Sequence, residues 1–144
     1  MRVDAESMKV FALHRYFVQA ETMRLEFDRQ LGDPERARIE DDGGTKLETY
    51  MSLWYGCLYV VLEGWKELKL QDDQIDDLRG STDGKPLVEL LRRYRNVVFH
   101  YQPGYWDDRL VGFWKEGAES ASWVRRLHAE FGRWFLDWMR SQRD

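Results

Sequence analysis

Residue types suited to phosphate chemistry gather in one stretch, Leu87-Val88-Glu89-Leu90-Leu91-Arg92-Arg93-Tyr94-Arg95-Asn96-Val97-Val98-Phe99-His100-Tyr101-Gln102. Histidine, with an ordinary pKa of about 6.5, can take or give a proton near neutral pH. Arginine is a fixed cation whose forked donors match phosphate oxygens and the charge that builds on them. Asn96 can orient His100 or donate to a phosphate. On an ideal helix at about 100° per residue, Leu87, Leu91, Tyr94, Val98 and Tyr101 fall within about 80° of arc and predict the core face. Arg92, Asn96 and His100, four apart, lie opposite, with Arg95 on the flank and Phe99 as an apolar residue among the polar ones. A core histidine would share the apolar stripe, and His100 does not. The polar side reads either as a working face or as plain solvated surface.

Arg95-Asn96-Val97-Val98-Phe99-His100 resembles the Arg-x4-His motif of the HEPN superfamily (higher eukaryotes and prokaryotes nucleotide-binding domains). The polar residue directly after the arginine and the place late in a long helix are similar too. In residues the likeness covers this helix; in helix order it covers most of the chain. The resemblance implies a metal-independent endoribonuclease without cofactor, of the toxin–antitoxin, anti-phage or RNA-processing kind. It implies a homodimer with two motifs meeting in an interface cleft, where Arg95, Asn96 and His100 are catalytic. The RNA 2′-hydroxyl would attack the adjacent phosphate and leave a 2′,3′-cyclic phosphate end. One departure is clear: some such toxins carry a tyrosine two residues after the histidine, a target for nucleotidylation by an antitoxin. This chain has Gln102 there and Tyr101 one residue early, so that regulation is not carried over.

Five residues on an ideal helix set Arg95 and His100 about 140° apart. Either the long arginine side chain wraps round or a second subunit completes the site, which favours the dimer. Arg92 and Arg93 extend a local basic cluster that reads as an RNA-binding patch or as a solvated face. Glu63 interrupts the apolar run Tyr59-Val60-Val61-Leu62. It either lines the cleft and tunes His100, or meets solvent or a lysine or arginine. Two rivals stand beside the nuclease: a non-catalytic HEPN-like module binding RNA, a nucleotide or a protein partner such as an antitoxin, and a structural helical dimer.

The elements that must position these residues are helical nearly throughout, without the alternation of a sheet. A first helix is expected over about Asp4 to Leu31, with Val10, Leu13, Phe17 and Ala20 inward, stopped by Gly32-Asp33-Pro34. After a charged connection, Glu35 to Gly44, Thr45 and Glu48 form a capping box for a second helix, about Lys46 to Leu70. That helix is apolar almost all round and should be central. A short helix over Asp72 to Arg79 precedes the motif helix, which has Ser81, Thr82 or Asp83 as cap and Pro86 in its first turn, and which runs to about Gln102. The aromatic connection Tyr105 to Gly117 either covers the cleft or dimer contact or closes the bundle end. A last helix, about Ser120 to Ser141, carries Val124, Leu127, Phe131, Trp134, Phe135 and Trp138 inward. The expected fold is a single all-α domain over residues 1–144, a bundle of four to five helices with no β-sheet.

A chain of 144 residues with net charge −4 can bury a core unaided and does not suit a generic nucleic-acid coat, though a local basic cleft remains compatible. The single Cys57 excludes an intramolecular disulfide and reads as core. No stretch suits a membrane span or a signal peptide, so a cytoplasmic protein is expected. Three widely spaced histidines give no metal-ligand spacing; His14 reads as packed or interfacial and His128, among arginines, as surface. Asp72-Asp73 and Asp76-Asp77 read as an acidic patch favoured at a helix start.

Overall fold

The computed structural model describes residues 3–33, 35, 45–105, 107–109 and 117–144. Among the described residues five helices follow in order: α1 Ala5–Gly32, α2 Thr45–Glu67, α3 Asp73–Gly80, α4 Gly84–Phe99 and α5 Gly117–Ser141. Among the described residues there is no strand, so the chain is an all-α bundle. No described helix is long and apolar enough to cross a membrane. The charged connection over 36–44, the Thr45 side chain of the expected capping box, and residues 106 and 110–116 of the aromatic connection lie outside the described residues.

The ends of the helices follow from local chemistry. Asp4 caps α1 by accepting from the Ser7 amide at 2.7 Å, and Asp72 caps α3 through the amides of Gln74 and Ile75. The second helix stops three residues before the expected Leu70. Lys69 takes a left-handed φ of 55°, its amide returns to Lys66 and that of Leu70 to Trp65. This is a Schellman turn made without glycine.

Trp54, Tyr55, Leu58, Val61, Leu62 and Trp65 of α2 are buried together with Val10, Leu13, Phe17 and Ala20 of α1. The motif helix adds Leu87, Leu91 and Tyr94, and α5 adds Trp123, Val124, Leu127, Phe131 and Phe135. Helix α2 thus sits at the centre, as its apolar circumference predicts, packed on α1 and α4. The core is aromatic and hydrogen-bonded at its polar atoms: Trp123 Nε1 donates to the Leu78 carbonyl at 2.9 Å, and Tyr94 and Ser52 share a hydrogen bond of 2.8 Å. Satisfying these groups is what makes their burial tolerable.

His128, expected at the surface, is buried. Its Nδ1 accepts from the indole Nε1 of Trp54 at 3.0 Å, and its Nε2 meets the Glu21 carboxylate. An indole nitrogen can only donate, so Nδ1 carries no proton and Nε2–H donates to Glu21. Burial pushes the His128 pKa down, with Glu21 partly opposing it. His14 is half-buried against Phe135 and Phe17, and desolvation lowers its pKa as well. Cys57 is only partly buried, with Gln19 within 3.9 Å. The acidic residues at α3 do structural work: Asp76 accepts from Trp65 Nε1 at 3.1 Å and Arg79 Nε at 2.8 Å, and Asp72 accepts from Arg133.

Candidate functional site

Helix α4 crosses α2, so whatever projects from its outer flank is set by that packing. Arg95 lies on this flank. Its Nη2 donates to Glu63 Oε2 at 3.2 Å, joining α4 to α2. Its guanidinium carbon stands 4.9 Å above the ring of Tyr59, an arrangement that favours a cation over a π face. Desolvation, with the Glu63 charge adding to it, pushes the Tyr59 phenol up. Arg95 is 27% exposed and Glu63 53%, while the Arg95 Nε atom is buried with no hydrogen-bond partner among the described residues. Glu63 thus has the arginine partner that one of its two readings expects, and it also lines the groove beside Arg95.

The helix ends earlier than the apolar spacing predicts. Phe99 is its last residue, and His100 takes an extended backbone (φ −126°, ψ 134°) as C-cap. Pro103, which disfavours helical geometry at Gln102 and has no amide to return to the preceding turn, bars the helix from running on through Gln102. Two corrections follow. Val97, rather than Val98 or Tyr101, completes the buried stripe; Val98 is half-buried and Tyr101 is 91% exposed. His100 does not continue the Arg92–Asn96 row, because it is no longer on the helix. Asn96 is half-buried and Arg92 and Arg93 are exposed.

Past the helix end the backbone is tied rather than loose. Gln102 Nε2 donates to the His100 carbonyl at 3.2 Å, and Gln102 Oε1 accepts from Arg109 Nη2 at 2.7 Å. Arg109 is held in turn by Asp107. The His100 ring itself is exposed and has no hydrogen-bond partner among the described residues. Phe99 and Tyr105, on either side of it in sequence, are also exposed. The edge of the Phe99 ring lies over Gly56, where a side-chain Cβ would stand 2.7 Å from Phe99 Cε2. A glycine on α2 thus seats the last residue of the motif helix.

Within one chain Arg95 and His100 share no hydrogen bond among the described residues. Arg95 lines a groove of about 580 Å³ with Arg92, Glu63, Tyr59 and Glu89, and neither His100 nor Asn96 lines it. The basic cluster is also partly neutralised, since Arg92 Nε donates to Glu89 at 2.9 Å. That contact holds the Glu89 carboxyl below its usual range. Arg93 has no ion pair among the described residues. Sequence reasoning missed Tyr59, Gln102 and Arg109. The sequence marks Gln102 only as the absence of a tyrosine, although a side-chain amide there can serve two partners at once.

Among the described residues no three His, Cys, Asp or Glu side chains gather as a metal site requires. No protein-family model, curated protein or solved structure matches this chain.

Proposed function

We propose that this chain is a HEPN-like, metal-independent endoribonuclease, acting as a toxin or anti-phage component, whose active site is completed by a second copy. The observation that supports it is the delivery of His100. An unburied imidazole with an uncommitted ring stands just past the end of a helix, and the arginine five residues before it is anchored on another helix through Glu63. An imidazole held by its backbone and free at its ring suits proton transfer. A guanidinium with one fixed contact keeps other donors for a phosphate.

In that site His100 of one copy removes the proton from the RNA 2′-hydroxyl. The oxygen attacks the adjacent phosphorus and the P–O5′ bond breaks. The departing 5′-oxygen takes up a proton from water, and the 2′,3′-cyclic phosphate remains. Arg95 neutralises charge building on the phosphate oxygens, and Asn96 orients the imidazole or the phosphate. Arg92 and Arg93 bind neighbouring phosphates. Because Arg95 and His100 share neither a hydrogen bond nor a groove within one chain, an arginine from one copy meets a histidine from its partner at the shared cleft. Phe99, Tyr101 and Tyr105 supply apolar area for that contact.

The reading is tested by incubating purified protein with RNA in EDTA beside His100→Ala. Cleavage with cyclic-phosphate ends, lost by a factor of about 100 or more in the variant, is expected. Equal cleavage by the variant overturns it. A second reading, a non-catalytic module binding RNA, a nucleotide or a protein partner, draws support from the pairing of Arg95 with Glu63 and Arg92 with Glu89. Silence of a folded dimer toward several RNAs, with binding that survives His100→Ala, would favour it.

A further inference from the structure

The groove that Arg95 lines continues away from the motif, between α2, the end of α3 and the first half of α4. Its walls carry Lys66, Arg79, Lys85, Arg92 and Arg95 against only two carboxylates, Glu63 and Glu89. On a chain of net charge −4 that concentration of cations is local and marked. The three arginines each have one carboxylate contact, Arg79 with Asp76 at 2.8 Å, Arg92 with Glu89 and Arg95 with Glu63. Lys66 and Lys85 are exposed and have no ion pair among the described residues. Lysines of this kind are mobile point charges that can follow a chain of anions, while each guanidinium keeps further N–H donors.

We infer that this groove holds the phosphate backbone of the RNA strand on one side of the bond to be cleaved, with Lys66, Arg79 and Lys85 as its added contacts. The inference rests on the nuclease reading above and extends it to a second site. Arg95 belongs to both, so a strand entering the motif passes directly into the groove. From Lys85 to Arg95 the helix rises about 15 Å, room for several phosphates rather than one. The Tyr59 ring is covered on one face by Arg95, so the groove offers charge rather than a stacking platform. It therefore positions the strand without reading its bases.

The test uses the full chain carrying His100→Ala, so that bound RNA stays intact, and a labelled single-stranded RNA oligonucleotide over a range of salt. Lys66→Ala/Lys85→Ala on that background should bind more weakly at low salt. The slope of log affinity against log salt should fall by about 1.4, roughly 0.7 per lost lysine–phosphate contact. Lys66→Gln/Lys85→Gln, which keeps side-chain bulk, should behave alike, and the melting temperature of each checks the fold. An unchanged slope overturns the groove. Failure of the parent to bind RNA at any salt also overturns it. Wild-type cleavage in EDTA then separates the two ideas: if cleavage persists the nuclease reading stands without the groove, and if it is absent that reading falls too.

Discussion

Arg95 of α4 reaches back to Glu63 of α2 with its Nη2 3.2 Å from the carboxylate, so the helix at the centre of the bundle also sets where the motif arginine points. On the nuclease reading proposed above, Glu63 acts as a positioning residue for Arg95. The pair is too exposed to matter much for folding, since such surface contacts contribute about 0–1 kcal/mol.

Glu63→Ala should accordingly lower kcat for RNA cleavage by about tenfold while leaving KM close to wild type. Its melting temperature should shift by no more than about 3 °C. Glu63→Gln, which keeps an acceptor, should recover part of the rate. Steady-state kinetics on the three proteins check this; an unchanged kcat in Glu63→Ala would show that Arg95 needs no such anchor.

Acid lability should follow from His128. Its burial among Trp54, Glu21 and Phe17 depresses its pKa below the ordinary 6.5, despite Glu21. Arg24 and Arg125 add to the depression. The unfolded chain takes up the proton near 6.5 and the folded chain only at lower pH, so stability is full above that value and falls as pH drops below it. His14 acts in the same direction. The carboxyls of Glu21 and Asp28, lowered by Arg24 and Arg125, contribute a further loss only below their ordinary values of 4.5 and 3.8. Thermal melts between about pH 7.5 and 5 should show a falling midpoint with a visibly shallower slope in His128→Gln. A variant slope as steep as wild type would remove His128 from the account.

The junction between α3 and α4 leaves no room for a side chain at Gly84. A Cβ there would collide with the Leu78 carbonyl oxygen, which is itself held by the Trp123 indole. Gly84→Ala should therefore cost about 2–4 kcal/mol. Gly80→Ala, with nothing within 4 Å of the added carbon, should be nearly neutral. Denaturant midpoints of the two variants decide the matter: a stable Gly84→Ala would mean that the junction yields.

How much of this was legible in the sequence depends on whether the cause is local. The inward stripe Val10, Leu13, Phe17 and Ala20 and the central place of α2 follow from spacing alone, and each of those side chains is buried. The helical spacing gives the buried face of the motif helix, but extended at 100° per residue to Gln102 it places Tyr101 in the core and His100 on the helix, whereas the helix ends at Phe99. His128 is illegible for the opposite reason. Its sequence neighbours are arginines, while Trp54 and Glu21 come from 74 and 107 residues away. No local window contains them. Glu63 is intermediate: a glutamate in an apolar run calls for a cationic partner, but only the crossing of α2 and α4 says that the partner is Arg95.

The central claim is that Arg95 and His100 act together across two copies. Arg95→Ala and His100→Ala, each silent alone, should regain cleavage when co-expressed and purified as a mixture. In a two-fold dimer the mixed species holds one site with both substitutions and one with neither. Random pairing then gives about a quarter of the wild-type rate, with cyclic-phosphate ends. A mixture as silent as its parents, beside an active wild type, would contradict the composite site.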